Sequence, residues 1–195
     1  KNMLSLKNSL NVLKKTKALL DGHFILSSGL HSPSYIQCAK LLSHPKLSNK
    51  FIKSLAIKIK KKIKKIDIIL SPAMGGIIIG YEIGKILNKE TIFCERVNKN
   101  FVLRRGFKIK KNSNVLIVED VITTGKSSLE CVKLIKKSKA KLAGFACLID
   151  RSKNNALKSD IISQLKIEIP TYNKINLPEY LKKIPITKPG SRFLR

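Results

Sequence analysis

The sequence predicts an α/β fold: a central, mostly parallel sheet flanked by helices, with a small N-terminal hood. From residue 67 to residue 150, short apolar runs alternate with amphipathic stretches of helical period, the pattern of strands whose sheet is covered on both faces. Before residue 67 that alternation is missing, and short extended pieces flank a turn-rich segment, which suits a hood rather than a sheet layer. The chain has 195 residues, 43% hydrophobic and 27% charged, enough for one domain with a proper core. We read residues 1–195 as that single domain, with residues 1–45 and the C-terminal tail contributing to the hood.

Taken in order, Leu6, Leu10, Leu13 and Ala18 recur at helical spacing and predict a helix over 4–20, stopped at Asp21-Gly22. Extended pieces follow at 23–26 and 35–38, on either side of the turn-rich 27–34. A second helix spans about 47–64, with Phe51, Leu55 and Ile59 on one face. The alternating part reads as a buried strand at 67–70, a loop at 71–76 and a helix to Leu87. Strands at 91–94 and 114–119, a helix at 126–137 and a strand at 141–150 complete it. Gly76, Gly80 and Gly84 share one helix face; Glu82 and Lys85 interrupt the apolar run, so close packing of helix on sheet is preferred to membrane dimerisation.

Composition excludes several classes. The longest apolar runs, such as 75–81, fall far short of the roughly 20 helical residues that cross a bilayer. Residues 1–20 lack the apolar centre of a secretory signal, so a soluble, cytoplasmic protein is expected. Cys38, Cys94, Cys131 and Cys147 are scattered without a C-x-x-C pair and read as reduced, mostly buried thiols. His23, His31 and His44 are too dispersed for a metal site. The net charge of +28 would ordinarily point to nucleic acid. Here the excess is lysine spread along the chain among many Asn and Ile, the product expected of an A+T-rich genome, and aromatics are only 6%, so a nucleic-acid partner is not expected. Against that background the arginines stand out: Arg96, Arg104, Arg105, Arg151, Arg192 and Arg195 persist where a rigid fork of donors is needed for phosphate or carboxylate.

The segment that carries chemistry runs from Val115 to Ser128. An apolar strand delivers Glu119 and Asp120 at its carboxyl end, where open α/β sheets bind ligands. The turn Thr123-Thr-Gly-Lys-Ser127 then opens a helix and can aim amides and hydroxyls at a phosphate. The acids repel that phosphate and suit sugar hydroxyls or a hydrated Mg2+. A nucleotide P-loop needs glycine five residues before Gly125, where this chain has Asp120, so that reading fails. The plain alternative is an ordinary strand–turn–helix with a polar cap.

The segment resembles the phosphoribosyl pyrophosphate signature of the type I phosphoribosyltransferases, which implies that family's fold. By that resemblance Glu119 and Asp120 hold the ribose hydroxyls, with Asp120 also counted as catalytic, while Thr123, Thr124, Gly125, Lys126 and Ser127 cradle the 5-phosphate. Residues 23–38 resemble the hood element of orotate phosphoribosyltransferases, implying that Tyr35 and Ile36 read the pyrimidine edge. Ser71-Pro-Ala-Met-Gly-Gly76 is similar to the family's pyrophosphate loop, which gives Ala73, Met74, Gly75 and Gly76 a role in binding. Leu148-Ile-Asp-Arg-Ser152 matches the segment whose arginine pairs with the orotate carboxylate, here Arg151. Residues 94–107 resemble the segment with the mobile catalytic loop, so Arg96, Lys99, Arg104 and Arg105 are candidates to neutralise departing pyrophosphate; the plain alternative is an exposed basic hairpin. The likeness returns at Ile169-Pro-Thr-Tyr172 and Lys188-Pro-Gly-Ser191. It has departures: many orotate enzymes carry lysine where Ser27 and Gly75 stand, and the usual lysine–histidine pattern of the mobile loop is absent.

The resemblance implies a glycosyltransferase (pentosyltransferase) that joins ribose 5-phosphate from phosphoribosyl pyrophosphate to orotate, in de novo synthesis of UMP. It further implies Mg2+ held through substrate and water with no direct protein ligand, and a homodimer with shared active sites. A purine phosphoribosyltransferase, or a nucleic-acid-binding regulator with a phosphoribosyl pyrophosphate-sensing site, are the competing readings.

Overall fold

The structure is a computed structural model that describes residues 3–26, 28–153 and 157–189. Ser27, Gly190, Ser191, Arg192 and Arg195, all named above, lie outside the described residues. The larger sheet has six strands: β3 (Ile68–Pro72), β4 (Glu90–Val97), β5 (Asn100–Leu103), β6 (Asn114–Ile122), β7 (Lys141–Asp150) and β8 (Ile161–Lys166). Their order is β5-β4-β3-β6-β7-β8, with every pair parallel except β4 with β5.

Successive side chains on a strand point to opposite faces, and both faces here are apolar. On β6, Leu116 and Val118 join a core with Phe51, Leu55 and Ile59 of α3 (Pro45–Lys62) and Ile79 and Ile83 of α4 (Gly75–Leu87). Val115 and Ile117 join a second core, with Cys131 and Ile135 of α5 (Lys126–Lys137) on the other face. β7 divides the same way, Ala146 and Leu148 to one side and Phe145 and Cys147 to the other. The four cysteines are buried and free. No helix among the described residues is long and apolar enough to cross a membrane.

A smaller three-stranded sheet is built from β1 (Leu19–Ile25), β2 (His31–Ile36) and β9 (Ile186–Thr187), in the order β2-β1-β9. Thus the N-terminal segment and the C-terminal tail meet in one layer. The His31 and Tyr172 main chains also exchange both hydrogen bonds, at 2.9 Å each.

Several boundaries differ from those the sequence predicts. The first helix, α1 (Leu6–Lys15), stops short of Asp21-Gly22. Thr16 closes it by donating its hydroxyl to Val12 O, and Lys17 turns the chain at φ 53°. Leu19 and Leu20 are then free to pair with Ile36 and Tyr35, and β1 runs straight through Asp21. Residues 31–34, read as turn, form most of β2; serine is tolerated there because Ser32 Oγ donates to Ser34 O. Cys38 opens the short helix α2 (Cys38–Leu42) instead of ending a strand. Asn98 and Lys99 both have positive φ, 47° and 67°, the turn that joins β4 and β5 into a hairpin. That hairpin is the plain alternative given for residues 94–107, whereas β8 and the short helix α6 (Glu179–Lys182) were not predicted.

The glycine stripe packs α4 onto the sheet as expected. A Cβ at Gly80 would lie 2.1 Å from Ser71 Oγ and 3.0 Å from Ser71 Cβ. At Gly84 it would lie 1.8 Å from Thr91 Oγ1 and 3.1 Å from the Lys89 carbonyl. Gly84→Val should therefore destabilise the fold by roughly 1–3 kcal/mol, the usual cost of overpacking. A urea midpoint equal to wild type would show that this contact is not tight.

Candidate active site

The site lies where the sheet order reverses. From β3 the chain crosses by α4 to β4 on one side, and from β6 it crosses by α5 to β7 on the other. A crevice opens at such a switch point beyond the carboxyl ends of the strands. β3 pairs with β6 only as far as Leu70 with Ile117, so the end of β6 stands clear of its neighbour.

Into that crevice β6 delivers its acid pair. Asp120 lies directly over the loop after β3: a Cβ at Gly75 would fall 2.6 Å and 2.7 Å from its two carboxylate oxygens. A side chain at Gly75 would displace the Asp120 carboxylate from this position. Gly76 likewise lets the loop approach Val118 O, 3.1 Å from where its Cβ would be. The Ala73–Met74 peptide is cis, and Ala73 N–H donates to Cys94 O at 2.8 Å. Met74 and Gly75 are exposed.

Glu119 is 7% exposed and accepts a hydrogen bond from the buried Ser128 hydroxyl on α5. Burial raises its pKa to about 7; Ser128 opposes the shift and neighbouring Asp120 adds to it. Burial also pushes Asp120 above the usual carboxylate range, against two backbone hydrogen bonds. Gly125, the N-cap of α5, is held at φ 76° and has no side chain of its own to cap the first turn. Thr124 Oγ1 accepts from Lys126 N–H at 3.4 Å, and Thr123, Thr124 and Lys126 are exposed around the helix start, with Ser127 half-buried. Amides at such a start favour an anion, and this one stands beside two acids that do not.

The hood meets this crevice from above. Cys38 Sγ donates to Asp120 O at 3.6 Å, tying the start of α2 to the acid pair. Tyr35 packs on Phe24 at 5.8 Å between ring centroids, and Ile36 is buried in the core. Arg151, at the end of β7, donates its N–H to Ile122 O at 2.9 Å. Its side chain is half-buried near Tyr35 and Cys38, and burial lowers its pKa. Arg151 Nε is buried with no hydrogen-bond partner. A buried guanidinium nitrogen without an acceptor is costly, and a carboxylate is the acceptor that suits it best.

The candidate cations of 94–107 divide. Arg96 forks onto Glu130 of α5, at 2.9 Å and 3.3 Å, and lies 4.0 Å over the Phe101 ring. Arg105 forks onto Glu95 at 3.0 Å through both nitrogens. Both guanidiniums therefore brace the hairpin. Lys99 and Arg104 are exposed and outside the ion pairs of the described residues. Sequence reasoning missed Ser128, Glu130 and Glu95. Ser128 was findable: with Cys131 and Ile135 it completes the sheet-facing stripe of α5.

The phosphoribosyl transferase domain family matches residues 38–183. An orotate phosphoribosyltransferase of Parvibaculum lavamentivorans is 46% identical over 187 residues, covering 95% of this chain and 96% of the relative. One of Erythrobacter litoralis is 43% identical over 185 residues, covering 94% and 96%. The crystal structure of orotate phosphoribosyltransferase from Aeropyrum pernix shares the fold with a TM-score of 0.71 at 23% identity, covering 80% of this chain and 92% of that one.

Glu119 titrates near 7 in the fold against an ordinary 4.5, so the folded state holds the proton more tightly. Its contribution is present below the ordinary value and lost as pH rises through the folded one. Glu119→Gln keeps an acceptor for Ser128 without the charge. It should match wild-type stability near pH 4 and exceed it near pH 8 by on the order of 1–3 kcal/mol. Equal urea midpoints at both values would contradict the buried, destabilising carboxylate.

Proposed function

We infer the reaction from one premise: the chain belongs to the orotate phosphoribosyltransferases, within the phosphoribosyl transferase domain family. Its reaction is transfer of ribose 5-phosphate from phosphoribosyl pyrophosphate to orotate, giving orotidine 5'-monophosphate and pyrophosphate. This is a glycosyltransferase (pentosyltransferase) step of pyrimidine biosynthesis. The observation that best supports a site for it in this chain is the Asp120 carboxylate lying over Gly75, which joins the acid pair and the 72–76 loop into one crevice.

The residue roles follow from chemistry. Ribose hydroxyls donate to Glu119 and Asp120. The 5-phosphate takes the first-turn amides of α5 with Thr123, Thr124, Lys126 and Ser127. The diphosphate lies along the main chain of Ala73, Met74, Gly75 and Gly76, which glycine leaves open. Orotate docks between the Tyr35–Ile36 edge and Arg151, whose orphaned Nε supplies a donor for its carboxylate. These contacts set the base nitrogen against the anomeric carbon, and positioning of this kind removes much of the barrier. As the bond to pyrophosphate breaks, positive charge grows on the sugar and negative charge on the leaving group. Lys99 and Arg104, the exposed cations of the hairpin, are the candidates to meet the latter. Arg96 and Arg105 hold that hairpin in shape.

Mg2+ is proposed to be held by the diphosphate and water, where it would neutralise leaving-group charge. The donor set fits that mode: the loop and helix start present main-chain groups to an anion, which leaves the diphosphate oxygens to meet the metal. A cytoplasmic homodimer is proposed on a different ground. Met74, Ile78 and Tyr81 are 84%, 55% and 61% exposed along one side of α4, beside a pocket of about 290 Å3 walled by Phe93 and Thr91. An apolar strip of this kind suits a partner surface, and a second copy of the chain is the partner that the family resemblance implies.

Ultraviolet absorbance should show orotate consumed only when phosphoribosyl pyrophosphate and Mg2+ are both present, with adenine, guanine and hypoxanthine inert as substrates or competitors. Arg151→Ala should raise the KM for orotate by roughly ten- to a hundredfold, the worth of a charge-assisted hydrogen bond. The KM for phosphoribosyl pyrophosphate should stay within about twofold, because the phosphate cradle is separate. Normal orotate KM in that variant would remove Arg151 from the base site.

A further inference from the structure

The carboxyl end of β6 lies beneath the first turn of α5, and one side-chain hydroxyl of that turn reaches its acid pair. Ser128 is fully buried and donates to Glu119 Oε1. The groups facing that carboxylate are Asp120 on its own strand, Cys131 from α5 and Cys147 from β7. None of them is a cation. Burial and Asp120 both favour the protonated acid, and only Ser128 favours the charged one. A carboxylate with one oxygen occupied by a donor keeps the other as a charged acceptor, about twice as strong as a neutral one.

We propose that Ser128 is a positioning residue for the reaction. Its hydroxyl holds Glu119 as a charged acceptor for a ribose hydroxyl and ties that acid to the helix turn that takes the 5-phosphate. The proposal rests on the reading of Glu119 as a ribose ligand. Its reach comes from position: Ser128 lies in the same turn as Gly125, Lys126 and Ser127, so a phosphate that orders those amides also fixes the donor to Glu119. Phosphate and ribose are then recognised as one unit rather than as two independent contacts. A serine that merely satisfied a buried acid would stabilise the fold without setting the pH at which the site works.

The test measures kcat/KM for phosphoribosyl pyrophosphate from about pH 5.5 to 9.5, with orotate saturating, in wild type, Ser128→Ala, Glu119→Gln and the double variant. Losing the donor should move the acidic limb of Ser128→Ala upward by about one unit. That is roughly a fivefold loss near pH 7, approaching about tenfold near pH 6 and nearly vanishing by about pH 9. Glu119→Gln should lack that limb, leaving only the one set by Asp120, and Ser128→Ala should add less than about twofold on its background. Ser128→Cys, a weaker donor of similar size, should place the limb between the two and keeps the test valid if the alanine variant folds poorly. A Ser128→Ala loss of the same fraction at every pH, or one that multiplies fully with Glu119→Gln, overturns the role of Ser128 alone. Absence of orotate consumption by wild type overturns the reaction assignment, and this proposal with it.

Discussion

The carboxyl end of β6 carries a conflict that the rest of the site is built around. A strand buried on both faces must end by presenting two adjacent acids, and burial works against the charge of each. The surroundings answer in three ways. Ser128 supports Glu119 from the helix above, the chain opposite Asp120 is stripped to glycine, and the hood closes through Cys38 onto the Asp120 carbonyl. On the reading proposed above, a sugar with paired hydroxyls would add further donors to both acids. The same corner that costs stability in the free protein is the one best prepared for ribose.

The departure at Gly75 lies in the same corner. Where many orotate enzymes place lysine, this chain has an acid within 2.7 Å of the position a side chain would need. On the reading proposed above, positive charge for the leaving group comes from the exposed cations of the β4–β5 hairpin. Its arginines have divided tasks: Arg96 and Arg105 are spent on Glu130 and Glu95, while Arg104 and Lys99 remain at the surface. Arginine retained in a lysine-rich chain therefore marks two kinds of need. At Arg151 the fork has a nitrogen left over for a ligand, and at Arg96 it grips a carboxylate and an aromatic ring of its own fold.

Much of this was legible in the sequence because the signals were local. The helix over 126–137 and the strand over 141–150 have the predicted bounds, since periodicity and turn residues agree there. The glycine stripe of α4 announced its contact with the sheet, and the acid pair with its threonine–glycine turn announced the ligand class. What stayed hidden depends on partners distant in the chain. β1 runs through Asp21-Gly22 because Leu19 and Leu20 find Ile36 and Tyr35, a pairing that overrides a local stop signal. β8 alternates too weakly to be read alone and becomes a strand by joining β7. The brace on Arg96 comes from Glu130, a residue 34 positions away, so sequence reasoning saw a free cation where the fold makes an ion pair.

A crystal structure of the protein with phosphoribosyl pyrophosphate bound tests the central claim most directly. It should show the 5-phosphate on the amides at the start of α5, the ribose hydroxyls on Glu119 and Asp120, and the diphosphate along the main chain at Gly75. A ligand seated elsewhere, with Asp120 still closed over Gly75 and the helix start empty, would contradict the account.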